Sequence, residues 1–181
     1  MSDTTRLPTE EDLEQLSLRG IVAFAARCAK RVQPRFRLAK SISGFAEHQQ
    51  ALSTAVSMAE QFCQLPDINA LTAAAGADTA AYDAADAKIE IASSAAACAA
   101  AACEAANTAE DAAPAFDATC AANYAASACG EHADVFTEAA CNDFERLLEA
   151  DHGIWPDLGD PIDTSEKGPL GPLWPDGPPG W

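Results

Sequence analysis

Ile21, Phe24, Ala25, Cys28, Ala29 and Val32 recur at three- and four-residue intervals, the spacing of one buried stripe on a helix. Ser17 stands where a capping hydroxyl would open that helix, and Pro34 is where it must stop, so the pattern predicts a helix over 18–32. Arg27, Lys30 and Arg31 fall to its polar side, and as last-turn cations they complement the helix dipole. Upstream, Thr9-Glu10-Glu11-Asp12 reads as a helix start, a capping threonine followed by first-turn acids. Downstream, Ser43 can cap a helix reaching about Gln64, with Phe45, Gln49, Leu52, Val56, Ala59 and Cys63 on one face and Pro66 as its stop.

The periodicity then dissolves into alanine, which occupies 33 of the 72 positions from Ala70 to Cys141. Alanine loses no side-chain entropy on entering a helix, so such a run prefers helix over every alternative. A short segment is expected near 67–75, with Gly76 as a weak point, then a long helix from about Asp78 to Asp111. Pro114 suits the first position of a second long helix running to about Ala150. Its expected core face is Phe116, Cys120, Tyr124 and Ser127, then Phe136, Ala140, Phe144 and Leu147, with Gly130 as a kink between the halves. The two long helices would span roughly 50 Å each and lie antiparallel. The fold class expected is therefore all-α, a bundle of about five helices with a long antiparallel alanine-rich pair.

Composition sharpens this picture. Leu, Ile, Val and Phe make up only about 17% of the chain beside a net charge of −17, a balance that borders on disorder. Helix preference opposes that tendency, and the result is an ordered bundle with a thin core, in need of large side chains from elsewhere. They are concentrated at the C-terminus. The organisation expected is a bundle over 1–152 and a Pro/Gly/Trp-rich extended tail over 153–181 that holds Trp155, Trp174 and Trp181. Within it Pro169, Pro172, Pro175 and Pro178 recur every third residue, so they would line one edge of a polyproline II rod about 30 Å long. Trp155, Leu170, Leu173 and Trp174 are expected to pack on the bundle, while Trp174, Pro175 and Trp181 are the candidate recognition residues should the tail serve a partner.

Charge is segregated. Seven cations, Arg19, Arg27, Lys30, Arg31, Arg35, Arg37 and Lys40, run without an intervening acid, whereas the chain from Ser41 onward is strongly acidic. Arg27, Lys30 and Arg31 are thus the candidate binding cations; their bland alternative is pairing with the acidic body. A chain of net charge −17 repels polyanions, which disfavours nucleic acid. No run of apolar residues is long enough to span a membrane, and no leader pattern is visible, so a cytoplasmic location is the expectation. Seven cysteines without a Cys-x-x-Cys pair read as reduced thiols, used as small hydrophobes between alanine helices. Cys129-x-x-His132 and Glu149-x-x-His152 have spacings a metal could use, yet neither has a second pair, so no metal or cofactor is expected. Phosphate loops, dinucleotide glycines and nucleophile elbows are absent, and no enzymatic activity is expected.

The segments Gly20-Ile-Val-Ala-Phe-Ala-Ala-Arg-Cys-Ala-Lys-Arg-Val-Gln-Pro34 and Gly171-Pro-Leu-Trp-Pro-Asp-Gly177 flank the alanine block. With them the chain resembles a family of alanine-rich helical bacterial proteins that carry a basic N-terminal helix, a Gly-Pro-Leu-Trp-Pro-x-Gly tail and no assigned activity. The resemblance implies a bacterial cytoplasmic origin and transfers no residue roles. The function expected is a non-enzymatic acidic interaction protein, an adaptor, inhibitor or immunity-type partner of a basic protein. The alternative is a small-molecule- or metal-binding helical protein using Cys, His and carboxylate side chains.

Overall fold

The computed structural model describes residues 6–37, 44–65, 71–86, 89–106 and 113–180. They form helices α1 (Glu10–Leu13), α2 (Leu18–Val32), α3 (Phe45–Phe62), α4 (Leu71–Asp86), α5 (Glu90–Glu104), α6 (Pro114–Cys129) and α7 (Ala133–Ala150), with no strand among the described residues. The all-α bundle is as the periodicity predicts. Ser43, Lys40, Pro66 and Trp181, and the expected segment over 67–70, lie outside the described residues.

Helix α2 is the axis of the molecule and packs on α3, α5, α6 and α7. Fourteen of its fifteen residues are buried, Lys30 being the exception. The expected division into apolar stripe and polar side is therefore wrong for Arg27 and Arg31, which are each 1% exposed. A helix so enclosed cannot leave its first amide groups to water. Ser17 Oγ accepts from Gly20 N, while Leu18 N and Arg19 N donate to the Asp157 and Leu158 carbonyls at 2.8 and 3.1 Å. The C-terminal segment thus completes the cap of the central helix. Ser17 N in turn donates to Asp151 Oδ2 at 2.8 Å, and a Cβ on Gly20 would lie 2.1 Å from that oxygen. Only glycine fits there.

The alanine block divides more finely than expected. The first segment runs straight through Gly76 as α4, and the described part of the helix expected over 78–111 is two helices, α4 and α5, with non-helical Ile89 before the second. Likewise the helix expected over 114–150 breaks completely at Gly130–His132, a 3-10 turn in which Gly130 takes φ 58° and ψ −118°. Such a backbone is reserved for glycine. Helices α4, α5 and α6 pack consecutively, α5 between its neighbours and α2.

The largest correction concerns which face of α6 is inside. Ala115, Ala118, Ala121, Ala122, Ala125, Ala128 and Cys129 are buried, whereas Phe116 and Tyr124 are 53% and 43% exposed. Helix axes approach within about 8–10 Å only when the side chains between them are small. Against the buried alanines of α5, a methyl face fits and a phenylalanine would push the helices apart. Size has overridden hydrophobicity here. In α7 the expected face is kept, with Phe136, Ala140 and Leu147 buried and Phe144 partly so.

The segment after α7 wraps the bundle without helix or strand. Ile162, Leu170 and Trp174 are buried, and Trp155 and Leu173 pack against the core. It is not the expected rod: Gly171 N donates to the Gly168 carbonyl and Gly177 N to that of Trp174, and both glycines take positive φ, 64° and 86°. These turns fold the period-three prolines off a common edge.

Candidate functional site

Three of the six candidate binding residues meet in one buried cluster. Arg27 donates through Nε and Nη2 to the two oxygens of Asp143 at 2.9 and 3.1 Å, anchoring α2 to α7. Its Nη1 donates to the Thr164 and Gly171 carbonyls, and Nη2 also to that of Pro172. Arg31 places Nη1 2.6 Å from Asp143 Oδ2, donates through Nε to the Leu173 carbonyl at 2.8 Å, and stacks at 5.6 Å from the Trp174 ring centroid. Nearby, Arg146 Nη1 donates to the Leu170 carbonyl. Two cations therefore share one carboxylate, and backbone carbonyls of the tail, with that of Ala139 in α7, take up further donors. This is what burial of charge requires, since an unpaired ion inside the fold costs several kcal/mol, on the order of the pair's own attraction.

The arrangement leaves these groups nothing to offer a ligand. Arg27, Arg31 and Trp174, three of the candidate binding residues, are buried and form the clasp that fixes the tail. Lys30 is half-exposed and paired with Glu60 at 2.5 Å. Pro175 alone of the six is exposed among the described residues. Nothing in the local pattern announces Asp143; the only hint is its place between Ala140 and Leu147 on a face otherwise apolar.

The thiols are equally withdrawn. None of the seven cysteines forms a disulfide, and Cys28, Cys63, Cys98, Cys103 and Cys129 are buried. Burial pushes the Cys28 and Cys63 thiols up to about 12 and Cys129 to about 11, which removes the thiolate a nucleophile or metal ligand needs. Cys28, Cys98 and Cys129 neighbour one another where α2, α5 and α6 meet. His132 lies 3.8 Å from Glu131, and His48 Nε2 lies 2.9 Å from Asp83 Oδ2, tying α3 to α4. Among the described residues no three His, Cys, Asp or Glu side chains converge as a metal site. No helix among them is long and apolar enough to cross a membrane.

Two features remain open on the surface. A groove of about 650 Å³ lies between α3 and α4, with an apolar floor of Ala51, Met58 and Ala73. The other is the outward face of α6. There Asp117 adjoins Glu104 at the end of α5, and Glu104 adjoins Asp78 of α4; burial and, at Glu104, repulsion from the other two hold all three carboxyls above their ordinary range. None of the three forms an ion pair among the described residues. Burial, and then the charges of Asp117, Glu104 and Glu10, push up the thiol of Cys120, which stands half-buried between Phe116 and Tyr124 on the helix.

No protein-family model matches the chain, and neither a curated protein nor a solved structure matches it significantly.

Proposed function

We propose that this chain is a non-enzymatic acidic binding protein whose partner is a basic protein. The observation that carries the reading is the fate of the α2 cations. Arg27 and Arg31 spend their charge inside on Asp143, and Lys30 on Glu60, so a chain of net charge −17 turns an acidic exterior to its surroundings. A field of one sign steers an oppositely charged partner and raises its rate of encounter. Seven cysteines without a disulfide support a reducing compartment, in keeping with a bacterial cytoplasm. The same burial argues against phosphate recognition by α2, because Arg27 and Arg31 are enclosed and already paired with Asp143. The competing reading, a metal- or small-molecule-binding protein built on Cys129 and His132, has no geometric support: Cys129 is buried and its thiol stays protonated.

Calorimetric titration with a lysine-rich helical peptide tests the reading. Association is expected at low salt, and it should weaken at least about tenfold as ionic strength rises from about 0.05 to 0.3 M. Absence of association at the lower salt, or indifference to salt, overturns it.

A further inference from the structure

We infer that the outward face of α6, together with the carboxylate row Asp78, Glu104 and Asp117, is the docking face, and that it takes an amphipathic basic helix of a protein partner. The inference rests on the acidic-binder reading and says where, and by what chemistry, that binding happens.

The helical register gives the face its layout. Phe116, Cys120 and Tyr124 follow at four-residue steps on the side away from the buried alanines, so the two rings stand about 12 Å apart along the axis. Asp117 and Tyr124 are seven residues apart and share nearly one line, which sets an anion beside the aromatic ridge. From Asp117 the acids continue across the bundle to Glu104 and then Asp78, so three successive helices contribute one carboxylate each. The face thus sets two exposed aromatic rings among small polar residues, Asn123 and Ser127, beside an anionic border.

That layout selects its occupant. An exposed phenylalanine and tyrosine two turns apart on the outward side call for an apolar edge, since aromatic rings bury a large area against a partner. Half-buried carboxylates that form no ion pair among the described residues, with Glu104 repelled by the other two, call for lysine or arginine next to that edge. A helix bearing both at three- and four-residue spacing meets both demands. A second copy of this chain does not: a two-fold contact through this face would bring two acidic borders into one interface. Nucleic acid and anionic lipid surfaces are repelled by the same row.

The probe is a synthetic peptide of about 14 residues, four turns of helix, with leucine on one face and lysine on the other, and a scrambled peptide of identical composition serves as control. Cys120 reports from inside the face and Cys141, half-buried on α7 with its thiol donating to the Arg6 carbonyl, reports from outside it. Alkylation by iodoacetamide is followed at each cysteine by mass spectrometry. Saturating amphipathic peptide should slow Cys120 about fivefold or more while Cys141 is unaffected, and the scrambled peptide should bind more weakly. The paired substitutions Asp117→Asn with Glu104→Gln, and separately Phe116→Ala with Tyr124→Ala, should each weaken binding about fivefold or more. Peptide that binds without shielding Cys120 and binds both variants undiminished overturns this face and leaves the acidic-binder reading standing. Neither peptide binding at low salt overturns that reading and this face with it. Shielding of Cys120 that grows with protein concentration alone, alongside a dimer in sedimentation, assigns the face to a second copy and overturns the proposed occupant.

Discussion

Asp143 holds two guanidinium groups with only 2% of its own surface exposed, so its charge has no replacement from solvent. Removing it strands two cations that water cannot reach. Asp143→Ala is expected to destabilise the fold by about 3–5 kcal/mol, the range for breaking a buried ion pair from one side. Denaturant unfolding measures this directly, and a loss below about 1 kcal/mol would show that the cluster is wetter than its burial implies. Replacing Arg27, Arg31 and Asp143 together by apolar residues of similar volume should recover much of the loss, because no charge is then left buried. The cost of losing Asp143 therefore lies chiefly in the cations it leaves behind. The tail depends on the same cluster, since Thr164, Gly171, Pro172 and Leu173 all offer carbonyls to it.

At the scale of elements, the ends of helices were legible in the sequence wherever a special residue marks them. Thr9 caps α1 as expected and closes a capping box with Asp12, Ser17 caps α2, and Pro114 opens α6. Faces were legible only where large and small residues alternate, as in α3, whose Leu52, Val56, Ala59 and Cys63 are buried as the spacing predicts, though His48 joins them in place of Gln49. Within the alanine block one methyl group serves inside and outside alike, so neither the break after Asp86 nor the inner face of α6 left a periodic trace. The clasp was illegible for a different reason: Arg27 and Asp143 are 116 residues apart, and last-turn arginines ordinarily face water. Gly130 carries the sharpest test of element boundaries. Nothing stands within 4 Å of the position a Cβ would take, so Gly130→Ala meets no clash and feels only its φ of 58°. It should cost about 1–3 kcal/mol, the strain of that backbone region, while α6 and α7 keep their helical content by circular dichroism. A neutral or stabilising effect would mean that the turn relaxes into continuous helix.

For the molecule as a whole, acid acts on the fold in two opposite senses. Asp12 is held down to about 2 by its hydrogen bonds from Arg6 and Thr9, so its contribution is present above the ordinary carboxylate range and is lost as pH falls through about 2. Asp78, Glu104 and Asp117 are held up by burial and, for Glu104, by its acidic neighbours. Their folded form binds protons more readily than the unfolded chain, so ionisation at neutral pH works against the fold. That penalty shrinks as pH falls through their raised values and vanishes below the ordinary ones. With a net charge of −17, general self-repulsion changes in the same direction. Thermal melts should therefore show stability rising on acidification from neutral into the mildly acidic range, then falling steeply toward pH of about 2. Asp78→Asn, Glu104→Gln and Asp117→Asn combined should raise the melting temperature at neutral pH and flatten the upper limb, leaving the acid limb in place. A melting temperature that falls steadily from neutral pH downward, unchanged in slope by the triple substitution, would show that these carboxylates are not strained. The expected profile instead makes the α6 border a place where free protein gives up stability, and where a cation from outside would return it.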